Sequence, residues 1–500
     1  SSPSAPAAAP ALARPPAAAS LPTSLDAIAF GDILKEAAIN NLEPTINQPR
    51  KPWISDRTLG YIHEKHNIYH YGTTEEKKII SKQVKKSCKT DWINWAANSV
   101  QNELDLRDKW MGIKNMKTDF NRRNYEKQDR HGKNVPINKQ AEATADYLEW
   151  GQWAPIDEKI NGLPLIEDKP VAHEPTRKIN PNDFNTTPFS MNELKTFLKR
   201  AKNHKASGPD SIQMELFKIL EESNLEAALA IMNRWWNGED VPPEVLQARV
   251  ASIYKKGPPK NQENYRPISL LNSIYKIYAA MLQTRIAGAL DHIIQSTQYG
   301  FRKKRSTTSA LIIIRRILEQ AEATKNPVFL TFLDWEKAFD RVRQDRLLQT
   351  LERLGCPEKV CNAIKQLYNS PQFMVQIGKE RSKWKTQNRG IRQGCPLSPY
   401  LFLLVMSLMF DDIHAEEDFT GGQLDILDET EILYADDTVV ITQDADTMSR
   451  LLASIERHAR YNGLAFNHTK CAALNYNSED KAHFEDGTVV PIASEVVYLG

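Results

Sequence analysis

Three aspartates stand where a carboxylate is costly to keep. Asp334 closes an apolar run, 328–333, that reads as a buried strand. Asp436 and Asp437 separate two apolar half-strands between Ile432 and Thr442, a pattern that reads as a hairpin with acids at its turn. Charge at the end of a buried strand carries a desolvation cost unless a cation sits on it. Three carboxylates with no matching His or Cys suit a hard, oxygen-loving ion such as Mg²⁺. Two such ions, held by anionic ligands, can activate a 3′-hydroxyl and hold a departing pyrophosphate during in-line phosphoryl transfer. Taken alone, an Asp-Asp turn reads more simply as a solvated corner.

The elements that must position these acids begin at about Met191. Ser190 reads as a helix N-cap with an acidic first turn behind it, and 208–210 (GPD) breaks the chain before a helix at about 214–220. Residues 335–354 read as helix, 373–377 as a short strand and 401–410 as a buried helix. Over 241–310, 11 Lys or Arg face 3 Asp or Glu, a local net charge of +8 in a chain whose total is only +2. Attraction to a polyanion therefore depends on where the charges lie and not on their sum.

Upstream, 19 of the first 22 residues are Ala, Pro or Ser, which reads as a disordered Ala/Pro-rich tether. Residues 23–185 read as a helical basic N-terminal extension: 15 Lys or Arg against 9 Asp or Glu between Glu75 and Asn134, interleaved with Trp92, Trp95, Trp110, Arg122 and Arg123. A solvated helical surface and an RNA-contacting face both fit that pattern. His63, His66 and His70 share a helical face, but no Cys or carboxylate completes a metal set there. The 500 residues, 41% of them apolar, allow about three domains and exclude a disulfide-stapled miniprotein or a wholly disordered chain. Five cysteines without a CxxC pair argue against a disulfide framework and a zinc knuckle. The longest apolar run, 400–406, is seven residues, far from the roughly 20 of a membrane span, so no membrane partner is expected.

The surroundings of the acids carry more than their spacing does. Residues 332–340 (FLDWEKAFD), 390–399 (GIRQGCPLSP) and 434–437 (YADD) follow in order, with 264–270 (NYRPISL) and 300–307 (GFRKKRST) upstream and 463–470 (GLAFNHTK) and 498–500 (YLG) downstream. Together they resemble the reverse transcriptase of non-LTR (LINE-type) retrotransposons over about residues 190–500. The resemblance implies an α/β right-hand polymerase, with fingers at 186–325 and a palm at 326–500 that includes a finger-contributing insertion and the start of the primer grip. The palm would hold a ferredoxin-like antiparallel sheet, and the thumb would be missing.

The same resemblance implies roles. Asp334, Asp436 and Asp437 would be metal ligands and catalytic, with Mg²⁺ as two ions and Mn²⁺ as a substitute. Lys470 would protonate pyrophosphate. Lys255 and Arg266 would clasp the dNTP triphosphate, although Lys256 competes with Lys255. Phe339 would exclude a ribose 2′-hydroxyl, and Gln393 and Gly394 would meet the nascent base pair. Arg302, Lys303, Lys304 and Arg305 would follow the template backbone, and Tyr498, Leu499 and Gly500 would touch the primer.

The implied partners are an RNA template, a DNA primer or nicked target DNA, and dNTPs, in a ribonucleoprotein of nucleus and cytoplasm. An endonuclease and a thumb are expected elsewhere in a longer polyprotein, of which this sequence reads as a fragment. Two rivals stand beside RNA-directed DNA synthesis: a catalytically incomplete RNA-binding scaffold, and an RNA-dependent RNA polymerase.

Overall fold

The computed structural model describes residues 21–42, 53–71, 73–101, 127–129, 132–155, 158–169, 173–416 and 430–499. The Ala/Pro-rich tether, Trp110, Arg122, Arg123 and Gly500 lie outside them. Contacts divide the chain into two units, residues 39–125 and the remainder. In the first, helices Asp56–Tyr71 and Thr74–Gln101 pair through a buried Thr58–Ser87 hydroxyl contact of 2.5 Å, and Asp91 accepts from the Ser55 backbone and hydroxyl.

Residues 127–185 pack within the other unit. Lys127 is buried with its ammonium 4.3 Å from the centre of the Tyr265 ring, and desolvation lowers its pKa to about 8. Trp153 is buried edge-on against Phe373. Indole area of this kind is why a stretch that looks polar overall still anchors to a core.

Two sheets organise the larger unit. Strands β1 (Ala248–Tyr254), β2 (Tyr265–Leu271), β4 (Gln372–Ile377), β5 (Glu380–Arg381) and β6 (Lys385–Thr386) form one, in the order β6-β4-β1-β2 with β5 paired to β4. The other is antiparallel throughout, ordered β7-β8-β3-β9, from β3 (Val328–Leu333), β7 (Glu431–Tyr434), β8 (Asp437–Thr442) and β9 (Ala472–Tyr476). Central β3 is apolar and almost wholly buried, as a strand covered on both faces must be. Helix Ser398–Glu416 is buried along residues 400–410, which explains its uninterrupted apolar run.

The Met191–Arg200 helix opens with the expected N-cap, completed by Glu193 as a capping box. The same Glu193 pairs with Arg285, whose guanidinium also donates to the carbonyls of Asn185, Thr187 and Pro188. Replacing Arg285 with Ala strands those acceptors, so a loss of about 3–5 kcal/mol in a denaturant titration is expected.

The helix read over 335–354 is broken in two, Ala338–Arg341 and Gln344–Arg353. Its first residues extend the sheet instead: Trp335 bridges Phe466, and Glu336 N–H donates to the Ala465 carbonyl at 2.8 Å. Lys337 then turns through φ +50°, and Arg343 N–H donates to the Asn462 carbonyl. Tertiary hydrogen bonds at both ends outweigh the local helical pattern.

Candidate active site

Register brings the acids together. Tyr434 pairs with Asp437 across a turn of Ala435 and Asp436, and Thr438 pairs with Leu333, so the hairpin turn lies beside the end of β3 that carries Asp334. Ala435 adopts φ +60°, the left-handed conformation that tight hairpins require.

All three carboxylates reach solvent, yet protein crowds around the hairpin. Partial desolvation raises the Asp436 pKa; the Arg266 and Lys255 charges pull it back and the Asp334 charge adds to it. Desolvation also raises that of Asp437, followed by the charges of Asp436 and Asp334. Like charges that raise one another's pKa form a donor set suited to a divalent cation. Among the described residues, however, no three His, Cys, Asp or Glu side chains converge closely enough to hold one. Lys470 supplies the nearest positive charge, its Nζ 3.8 Å from Asp334 Oδ2.

Lys255 and Arg266 lie on the exposed β1–β2 ribbon, where Ile253 pairs with Arg266, and both charges are felt at Asp436. The Phe339 ring stacks on Phe402 at 4.7 Å and meets the edge of Phe301 at 6.5 Å. Gly394, at φ +118°, lies so close to β2 that a Cβ would stand 2.4 Å from the Ser269 carbonyl oxygen. Only glycine fits there. Gln393 is half-buried and donates to Asp340. Tyr498 packs its ring edge-on against Phe332, Leu499 follows at φ +61°, and burial together with the charge of Asp437 lifts the Tyr498 phenol well above its usual pKa.

The basic run divides. Lys303 and Lys304 are exposed, but Arg302 turns inward to both Asp291 carboxylate oxygens and to the carbonyls of Asp291, Gln295 and Gln298. The template contact expected of Arg302 is therefore corrected: its guanidinium is used to hold the loop. Arg305 is half-buried, over the Tyr299 ring and donating to the Ser296 carbonyl.

Sequence reasoning missed Gln298. Fully buried, its Oε1 accepts from the backbone N–H of both Gly300 and Ala435, at 2.9 Å each, and so pins the acidic turn. Its signal was its position two residues before Gly300. A Cβ on Gly300 would stand 2.4 Å from Ala435 N. Gly300→Ala must displace the hairpin that carries Asp436. An overpacking cost of about 1–3 kcal/mol, read in the unfolding midpoint, and a clear drop in any turnover at this site are expected.

Residues 254–500 match the family model described as reverse transcriptase (RNA-dependent DNA polymerase). The chain thus carries a reverse transcriptase domain. Its relatives place that domain among those of non-LTR retrotransposons. It is 28% identical over 320 residues to "Transposon TX1 uncharacterized 149 kDa protein" of Xenopus laevis, covering 64% of this chain and 24% of that one. It is 25% identical over 288 residues to "Retrovirus-related Pol polyprotein from type-1 retrotransposable element R2" of Nasonia vitripennis, covering 57% and 27%. It is 26% identical over 299 residues to "RNA-directed DNA polymerase from mobile element jockey" of Drosophila melanogaster, covering 57% and 32%. The chain spans about a quarter to a third of the length of these relatives. Among solved structures, a telomerase from Candida tropicalis matches with a TM-score of 0.37 and 14% identity, over 57% of this chain and 50% of that one.

Proposed function

We propose that this chain is the RNA-directed DNA polymerase portion of a non-LTR retrotransposon polyprotein, adding dNTPs to a DNA primer 3′-hydroxyl on an RNA template. The antiparallel sheet would be the palm and the β1–β2 ribbon part of the fingers. The observation that carries this reading is the register that sets the Asp436-Asp437 turn beside Asp334, with Lys255 and Arg266 in electrostatic reach.

Asp334, Asp436 and Asp437 would hold two Mg²⁺ ions, which when bound supply Lewis-acid stabilisation of the phosphoryl oxygens and of the attacking hydroxyl. The remaining work falls to this chain's own groups. Lys255 and Arg266 offer a mobile ammonium and a forked guanidinium to the triphosphate. Phe339, held against Phe402, closes the space a 2′-hydroxyl would need. Lys470, beside Asp334, is placed to give a proton to departing pyrophosphate. Lys303 and Lys304 would meet template phosphates.

Primer extension on poly(rA)/oligo(dT) tests the reading. Mg²⁺-dependent dTMP addition is expected, and retained RNA binding without any addition would favour the scaffold. An RNA polymerase is disfavoured by the bulk at Phe339.

A further inference from the structure

A buried carboxylate next to the proposed nucleotide pocket has no role so far. Asp340 is 2% exposed. Its Oδ1 accepts from Trp153 Nε1 at 2.8 Å and its Oδ2 from Gln393 Nε2 at 2.6 Å. The Gln152 side chain also donates to it, and Lys337 is the cation whose charge it feels. Desolvation raises its pKa to about 6 against the pull of those groups, which leaves it ionised at neutral pH.

An ionised carboxylate only accepts hydrogen bonds. Gln393 must therefore turn its NH₂ group inward, which leaves its carbonyl Oε1 facing away from Asp340. The backbone around it is fixed. Ser269 N–H donates to the Gln393 carbonyl at 2.7 Å, and Ile391 N–H donates to the Phe339 carbonyl at 2.8 Å. A Cβ on Gly390 would stand 2.5 Å from the Asp340 carbonyl oxygen. Phe339, Asp340 and Gln393 thus move as one piece, and the remote Trp153 is tied to it.

We propose that Asp340 and Trp153 are positioning residues that hold the Gln393 amide with its oxygen outward, so that the nucleotide pocket presents a hydrogen-bond acceptor to the sugar of the incoming dNTP. This rests on the reading of Phe339 and Gln393 as nucleotide-facing. A 5′-triphosphorylated deoxyribose has one hydroxyl donor, at its 3′ position, so the outward oxygen selects dNTPs over 3′-deoxy analogues.

The donor chemistry makes a reversible test. Trp153 Nε1–H can only donate, so in Asp340→Asn the new amide must aim its oxygen at Trp153 and its NH₂ at Gln393. Gln393 then flips and presents NH₂ outward. The ratio of kcat/KM for dTTP to that for ddTTP is expected to fall about tenfold in Asp340→Asn, the effect of one hydrogen bond. Trp153→Phe alone should keep the wild-type ratio. In Trp153→Phe/Asp340→Asn the indole constraint is gone, the amide introduced at position 340 can turn its oxygen to Gln393, and the ratio should recover.

An unchanged ratio in Asp340→Asn, or a double variant no better than Asp340→Asn, overturns the proposal. A wild type that incorporates neither nucleotide overturns the polymerase reading instead. Should Asp340→Asn fail to fold, amide exchange in the wild-type protein decides: slow exchange of the Gln393 side-chain NH₂, assigned by its absence in Gln393→Leu, is expected, and rapid exchange refutes the locked amide.

Discussion

Asp436→Ala abolishes templated dTMP addition while leaving the fold in place. Asp436 sits in a two-residue turn at the surface of the hairpin and makes no side-chain pair that the sheet depends on, so truncating it spares the β7–β8 and β8–β3 ladders. Stability should even rise slightly. Desolvation and the neighbouring charge of Asp334 raise the pKa of the Asp436 carboxyl, and Asp436 in turn raises that of Asp437. An acid with a raised folded-state pKa costs stability once both states are ionised, so at pH 7 its removal relieves repulsion. Catalysis should fall by at least the roughly 10²–10³-fold seen when one preorganised charge-stabilising donor is lost, because a metal ligand acts on the full charge of the transferring group. Single-turnover primer extension with matched thermal melts measures both. Activity surviving Asp436→Ala within a few fold would place the chemistry elsewhere.

The second large effect is a change of sugar specificity. Phe339 is half-buried between Phe402, stacked at 4.7 Å and 17°, and the edge of Phe301. The stacked partner keeps the ring from swinging aside to admit a larger sugar. Phe339→Ala removes that bulk and should raise rNTP incorporation relative to dNTP by about 10²-fold or more, since steric exclusion acts on one substrate only. Phe339→Tyr, which retains the ring, should stay close to wild type. Running dTTP and rUTP on the same primer gives the ratio directly. Discrimination unchanged in Phe339→Ala would remove the steric role and reopen the RNA polymerase alternative.

Much of the frame was legible in the sequence because it follows from short-range periodicity. The buried strand at 328–333, the strand near 373–377, the capped helix at Met191 and the acidic hairpin announce themselves through apolar runs, N-cap chemistry and turn residues, and the structure places them at Val328–Leu333, Gln372–Ile377, Met191–Arg200 and Glu431–Thr442. What escaped is non-local. A helix over 335–354 fits its own pattern, but hydrogen bonds to Ala465 and Asn462, more than a hundred residues away, break it.

Arg302 looked like a phosphate-binding charge because its neighbours are basic, and only the folded loop shows its guanidinium turned to Asp291. Gln298 and Trp153 belong to the same class. A buried glutamine that pins a turn and an indole donating across 187 positions to Asp340 carry no local signature at all. The division at residues 39–125 was equally hidden, since a charged helical composition runs across it.

The central claim is that Asp334, Asp436 and Asp437 share divalent cations in the working complex. Anomalous diffraction at the manganese edge, from crystals of the protein with a primer–template and a non-hydrolysable dNTP in Mn²⁺, addresses it most directly. The account predicts metal peaks about 2 Å from carboxylate oxygens of Asp334 and Asp436. Bound nucleic acid and nucleotide with no peak among these three side chains, or with the metal held by other residues, would contradict it.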